Sequence, residues 1–389
     1  MIMIKSLKEA EPKVGKIEKV KDIIIYKDEN YNTFPNAVKK RDGSIIVGFR
    51  QAPDWQNTTG SESGMNFKGI THIDPSSKAV FVSSNDNGGT WDVKPSVIYD
   101  DFVYGVQDPC LNMLENGMIF CTFFMWKVFR KEDLPKILPT DNVFAGKWVG
   151  RRDKAYSIRS SNGGITWDEP IPVEYPGGKH IAVRGNTASI NSDTILLAVY
   201  GDNDVNELSK TVILKTDNFG KTWTKVSTIT SKQDYNFYEP NLYRTNSGKL
   251  VAFIRSKKQY HKNNSIAQKE DSPLFTCESF DNGNTWSVPV KRDFYSPSPF
   301  HALMLESGNV LVTYGYRYEP YGLRAFLLDS ECSNFEDSED IILRDDGCGS
   351  DIGYTNSVLL NNGEVLITYY YYDKEDGLRY IAGTICKEV

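Results

Sequence analysis

The stretch "SSNDNGGTWD", Ser83 to Asp92, sets a tryptophan directly behind a tight polar turn. Gly and Asn tolerate positive φ and Asp caps its own backbone, so one such stretch is an ordinary hairpin connection. The pattern S-x-D-x-G-x-T-W recurs, however. Ser84, Asp86, Gly88, Thr90 and Trp91 are followed by Ser160, Asn162, Gly164, Thr166 and Trp167, then by Thr216, Asn218, Gly220, Thr222 and Trp223, then by Ser279, Asp281, Gly283, Thr285 and Trp286. A fifth stretch, "LDSECSNFED" from Leu328 to Asp337, keeps the length and an aromatic, Phe335, but loses the glycine and threonine. The aromatics fall 76, 56, 63 and 49 residues apart, the spacing of a repeated sheet unit of roughly 40–50 residues with loop insertions.

A second repeat runs between these boxes. Aligned on the turn glycine or its substitute, "NTFPNAVKKRDGSIIVGFRQ", "VQDPCLNMLENGMIFCTFFM", "VRGNTASINSDTILLAVYGD", "YEPNLYRTNSGKLVAFIRSK", "PFHALMLESGNVLVTYGYR" and "GYTNSVLLNNGEVLITYYYY" each read as one hairpin. Two apolar arms rich in β-branched and aromatic residues flank a short polar turn. Six hairpins, most followed by a further strand leading into a turn box, imply an all-β fold: a six-bladed β-propeller with four-stranded antiparallel blades. Each box closes the outer hairpin of a blade, with its Trp packed between neighbouring sheets. The first hairpin starts only near Tyr31, so "KVKDIIIY", Lys19 to Tyr26, is expected to supply the outer strand of the last blade and lock the ring. Residues 1–389 then form one domain, with about 1–17 as an N-terminal extension. "KVFRKEDLPKILPTDNVFAGKW", Lys127 to Trp148, reads as an inserted loop with a helical turn before Pro135.

Composition narrows the function classes. The 389 residues are 40% hydrophobic and carry a net charge of −6 without a basic run, which argues against a nucleic-acid partner. No apolar run approaches a membrane span. The start, "MIMIKSLKEAEPKVGK", lacks an apolar h-region and a small-residue cleavage site. The expected location is cytoplasmic as the sequence stands, and secreted or periplasmic if a leader has been trimmed. Six cysteines form no C-x-x-C pair and read as reduced structural thiols. The four histidines, His72, His180, His261 and His301, have no metal-ligand spacing, so neither a metal nor a cofactor is expected.

In a propeller, equivalent positions of the hairpins converge on the axis. Nine residues before the turn stand Phe34, Asp108, Arg184, Glu239, Pro299 and Tyr354; seven after it stand Arg50, Phe124, Tyr200, Arg255, Gly315 with Arg317 close by, and Tyr370. Charges of both signs and several tyrosines in one concave place fit a small polar ligand.

These residues resemble the sialidase (neuraminidase) superfamily, whose Asp-boxes the turn boxes are similar to, over nearly the whole chain. The superfamily pattern of a Glu nine residues before a turn glycine and an Arg seven after it is matched by Glu239 and Arg255. A further Arg is matched by Arg324 in "PYGLRAF", a Tyr by Tyr354 in "SDIGYTNS", and a loop Asp by Asp74 in "HIDPSSKAVFVSSND". The resemblance implies an exo-glycosidase acting with retention on a terminal sialic acid or related acidic sugar. Tyr354 is then the nucleophile, Glu239 its base and Asp74 the acid, with His72 a fallback acid and Arg255 and Arg324 gripping one carboxylate. One departure stands out. Where the superfamily has an arginine in a Phe-Arg-Ile-Pro-like motif, "YNTFPNA" offers Thr33 or Phe34, leaving Arg50 and Arg317 as replacements. Three rivals stay open: a lyase acting on uronate-type sugars, a hydrolase of a related acidic sugar, and a carbohydrate-binding propeller without catalysis.

Overall fold

The computed structural model describes residues 15–54, 72–138, 141–144, 146–201, 207–259, 268–372 and 377–389; most of the expected N-terminal extension and His261 lie outside them. The strands form six antiparallel sheets. Blade 1 runs outward from the axis through Tyr31–Lys39, Ile45–Ala52, Lys78–Ser84 and Ser96–Tyr99. Blade 2 begins at Gly105–Met113, blade 3 at Ala182–Val183 with Ala188–Ser189, blade 4 at Tyr235–Arg244, blade 5 at Phe300–Met304 and blade 6 at Gly353–Leu359. The outer strand of blade 6 is Ile17–Tyr26, paired antiparallel with Tyr380–Glu388, so the expected closure by the N-terminal strand is present.

The second and third strands of most blades are near-continuous apolar runs, because each is covered on both faces by a neighbouring sheet. The core accordingly divides into six clusters, one at each of the six blade interfaces. Trp91, Trp167, Trp223 and Trp286 each pack into the interface with the preceding blade. The turns behind them share one hydrogen-bond pattern. Ser84 Oγ donates to Asp86 Oδ1 (2.8 Å) and accepts from Gly88 N (2.9 Å), while Thr90 N and Oγ1 donate to the Asp86 carboxylate (2.8 and 2.6 Å). In the degenerate fifth copy, Asp329 takes this place by accepting from Ser333, and Phe335 substitutes for the tryptophan.

One detail differs from the sequence reading. Lys127 to Trp148 is not all loop: the second strand of blade 2 runs on to Arg130 and pairs with Trp148–Ser160, and the 3-10 turn Lys131–Asp133 precedes Pro135. Val128, β-branched, and Phe129, aromatic, favour an extended strand at its end. Around the channel the inner strands are sheet edges whose N–H groups need partners. Asparagines from neighbouring blades supply them: Ala37 N donates to Asn356 Oδ1 (2.9 Å), Leu111 N to Asn36 Oδ1 (3.0 Å) and Thr187 N to Asn112 Oδ1 (2.9 Å).

Candidate active site

The inner strands deliver their polar side chains through bulges. Pairing in blades 1, 2, 4 and 6 skips between Thr33 and Asn36, Gln107 and Cys110, Tyr238 and Asn241, and Gly353 and Asn356. Inside the skips lie Phe34, Asp108, Glu239 and Tyr354, all with positive φ (56, 50, 43 and 55°). Such conformations are unfavourable for residues with a Cβ and persist where surrounding structure enforces them. A bulge re-aims its side chain, here toward the axis. Pro35, Pro109 and Pro240 follow three of the four; lacking an N–H, proline fits an edge strand at a bulge.

Glu239 and Tyr354, from blades 4 and 6, meet there. The Tyr354 hydroxyl donates to Glu239 Oε1 at 2.6 Å; Arg255 Nη1 donates to Glu239 Oε2 at 2.5 Å and to the Tyr354 hydroxyl at 3.2 Å. Burial raises the Tyr354 pKa well above the usual tyrosine value, the Glu239 charge adds to this, and Arg255 opposes it. The phenol is therefore protonated at neutral pH, with its proton already directed at a carboxylate.

Other charges surround this pair. Arg184 is spread over the Tyr354 ring (5.0 Å to the centroid) and donates to the carbonyls of Phe34 and Pro35 (3.2 and 2.8 Å). Arg317 lies over the same ring at 5.2 Å and donates to Ile352 O (2.8 Å) and the Tyr370 hydroxyl (2.7 Å). Burial pushes the Asp108 carboxyl up to about 7; Arg184 pulls against this and the Glu239 charge adds to it. Arg50 is fully buried: Nε donates to Val106 O (3.2 Å), and Nη1 and Nη2 have no acceptor among the described residues. Desolvation lowers its pKa, while Asp74, Tyr31, Asp108 and Asp351 face it and oppose the drop.

Two expected residues are placed differently from the sequence reading. Arg324 donates to Leu323 O and Arg344 O (3.1 and 2.7 Å) and lies over Tyr316 (4.4 Å). Among the described residues it makes no hydrogen bond to Glu239, Arg255 or Tyr354. It sits within the third strand of blade 5, whereas Arg317, just past the end of the second strand, projects to the axis. Asp74 is 1% exposed, and its Oδ1 accepts from Ser76 N (2.8 Å) and Oγ (2.6 Å), so the carboxylate holds its own loop turn. His72, two residues earlier, has 47% of its side chain exposed; its Nε2 lies 3.7 Å from Asp351 Oδ1 and 3.4 Å from the Tyr31 hydroxyl. Its ring sits 5.5 Å from that of Phe34, which is 4.6 Å from that of Tyr354. Although its edge is open, the ring is desolvated by the protein around it and its pKa is lowered; Asp351 opposes this, and Arg50, Arg317 and Arg379 add to it.

Sequence reasoning missed the support of this corner. Asp351 accepts from Tyr31 (2.6 Å), Tyr370 (2.8 Å) and Arg379 Nε (3.2 Å). One signal was available: Tyr31 and Asp351 each stand three residues before a bulge residue, Phe34 and Tyr354.

Fold and centre together define a six-bladed β-propeller with a charged tyrosine–glutamate–arginine cluster on its axis. Residues 138–367 match the BNR repeat-like domain, and the chain belongs to that family. Among solved structures it is similar to a protein of unknown function from Dyadobacter fermentans, with 31% identity over 96% of this chain and 99% of that one and a TM-score of 0.82. It is also similar in fold to the NanB sialidase from Streptococcus pneumoniae (14% identity, 98% and 71% covered, TM-score 0.63). A third is the Penicillium chrysogenum alpha-L-arabinanase complexed with arabinobiose (13% identity, 95% and 98% covered, TM-score 0.61). No curated protein matches.

Proposed function

We propose that the protein is a retaining exo-glycosidase that cleaves a terminal acidic sugar, with Tyr354 as nucleophile and Glu239 as its base. The observation that carries this is the 2.6 Å hydrogen bond from the Tyr354 hydroxyl to Glu239, braced by Arg255. In the first step the phenol proton passes to Glu239 as the phenol oxygen bonds the anomeric carbon, and the glycosidic oxygen leaves with a proton from an acid. In the second step that acid's conjugate base takes a proton from water, the hydroxide displaces tyrosine, and Tyr354 recovers its proton. A neutral phenol suits a sugar with a carboxylate at its anomeric carbon, because a carboxylate nucleophile would repel it. Arg255 and Arg317 flank Tyr354 and are the carboxylate ligands of this reading. Phe34 fills the place where the superfamily pattern has an arginine, so the grip is two-armed.

His72 is the better acid than Asp74. Its imidazole faces the mouth beside Phe34 and is backed by Asp351, whereas the Asp74 carboxylate is buried in its own turn. A second reading rests on Asp108, whose raised pKa beside Glu239 matches a carboxylate pair acting on a neutral sugar. Trapping separates the two. A fluorinated sialosyl donor and a fluorinated arabinofuranosyl donor are each incubated with the enzyme, which is then digested for peptide mass spectrometry. Covalent label on Tyr354 from the acidic donor is expected. Label on Glu239 from the neutral donor alone overturns the tyrosine reading in favour of the carboxylate pair.

A further inference from the structure

A cavity of about 760 Å3 opens between the third strand of blade 2 and the segment 173–181 that leads into blade 3. Its walls are rich in cations, most of them neutralised locally. Lys127 pairs with Asp153 (2.6 Å), Arg151 with Asp141 (2.8 and 2.7 Å), and Lys154 with Glu174. Arg152 differs: among the described residues it has no acidic partner. Its Nη1 donates to His180 O (3.0 Å), and its Nε is buried with no acceptor among the described residues.

Among the described residues, side chains hold this guanidinium in place without neutralising it. Arg152 lies 5.9 Å from the Phe124 ring, 5.8 Å from Trp126 and 5.8 Å from Tyr200. These rings pack around its guanidinium and desolvate part of it, which strengthens its pull on an anion entering from the open side. The backbone also makes room. A Cβ on Gly201 would come within 2.1 Å of Arg152 Nη1, so a glycine there is a condition of the arginine's position. From this side the catalytic pair is close: Tyr200 packs edge-on against Tyr238 (6.0 Å), over which Arg255 lies (5.9 Å).

We propose that Arg152 and this cavity form a second anion subsite. It takes a carboxylate or sulfate carried on the substrate about one sugar ring away from the Tyr354–Glu239 centre. The natural substrate is then a doubly anionic glycan, and Arg152 is a specificity residue outside the reacting atoms. The inference rests on the glycosidase reading for the sugar itself, and not on which residue is the nucleophile.

The test is calorimetric titration of the Tyr354→Phe full chain, which keeps the site while slowing turnover, with three probes: sialyllactose, its galactose-6-sulfated form, and disialyllactose. At least one doubly anionic probe should bind about tenfold more tightly than sialyllactose, the sulfated probe reporting sulfate and the disialyl probe carboxylate. Arg152→Gln should erase that ratio, and Arg152→Lys, which keeps a charge without the planar fork, should retain only part of it. Melting curves check that both variants fold. Equal affinity for all three probes, binding of none, or a ratio unchanged by both Arg152 variants overturns the subsite. Rapid cleavage of the probes by Tyr354→Phe brings down the tyrosine mechanism and leaves the subsite standing on its binding ratio.

Discussion

At Tyr354 the chain places a side chain whose burial makes ionisation hard 2.6 Å from the Glu239 carboxylate, the base of the proposed reaction. Tyr354→Phe keeps the ring and its packing against Phe34 but deletes the oxygen proposed to attack. Steady-state turnover of an acidic-sugar glycoside should fall by roughly 10⁴–10⁶-fold, the scale of losing a covalent catalyst. Glu239→Gln should lose much of the same rate. The double variant should lose little more than the worse single one, because groups acting as a unit are non-additive; simple multiplication of the two losses would show that they act separately. His72 sets a pH prediction. An acid must be protonated to act, and the lowered His72 pKa means that its proton is lost below the ordinary value of about 6.5. The kcat/KM of a poor leaving group should therefore decline on the alkaline side from below that pH. His72→Gln should slow poor leaving groups selectively while a nitrophenyl glycoside, which needs no proton, keeps most of its rate. Equal slowing of both substrates would return the acid role to another group.

The strand bulge is the element that turns a sheet edge into a site. Each of the four bulged residues spends about 1–2 kcal/mol of backbone strain to face the axis. Asp108 adds electrostatic strain to this. Its folded pKa of about 7 lies above the unfolded value, so the neutral acid is favoured in the fold. The corresponding stability is full at acid pH and is lost as the pH rises from about 4 through about 7. Asp108→Asn removes the ionisable group and places a residue that tolerates positive φ at the bulge. Its melting temperature should exceed that of the parent at pH 8 by several degrees, with the gap closing near pH 4. A gap that stays constant with pH would assign the gain to the backbone alone. The element scale was half legible: "FP", "DP" and "EP" inside apolar strands mark bulges by the missing N–H. Tyr354 is followed by threonine and shows no such mark, so its bulge came only from the pairing register.

Across the whole molecule, stability depends on closing the ring. Ile17–Tyr26 covers the edge of Tyr380–Glu388 and buries Ile17, Ile25 and Tyr26. A chain beginning at residue 29 should bare that edge and lose the closing contacts. Earlier melting and aggregation are expected, because an uncovered strand edge pairs with other chains; an unchanged melting curve would show that closure is dispensable. The sequence determined the architecture, since turn chemistry and strand periodicity are local and each repeats in the chain: boxes such as Ser84 to Trp91, hairpins such as Tyr238 to Lys257, and a leading strand without a hairpin of its own. It also determined the Glu239, Arg255 and Tyr354 positions, because equal offsets from equivalent turns reach the same point on the axis. Only the tertiary structure decided which remaining charged groups join them. Arg317 and Arg324 are seven residues apart on one hairpin, and strand length and side-chain direction send the first over Tyr354 and the second to Arg344 O. Asp74 and His72 are two apart on one loop, and a turn bond to Ser76 occupies the acid while Asp351, 279 residues on, faces the imidazole. The Asp74 turn is local, but the placement of Arg317 over Tyr354 and of His72 beside Asp351 depends on residues far along the chain, and no local pattern carries it.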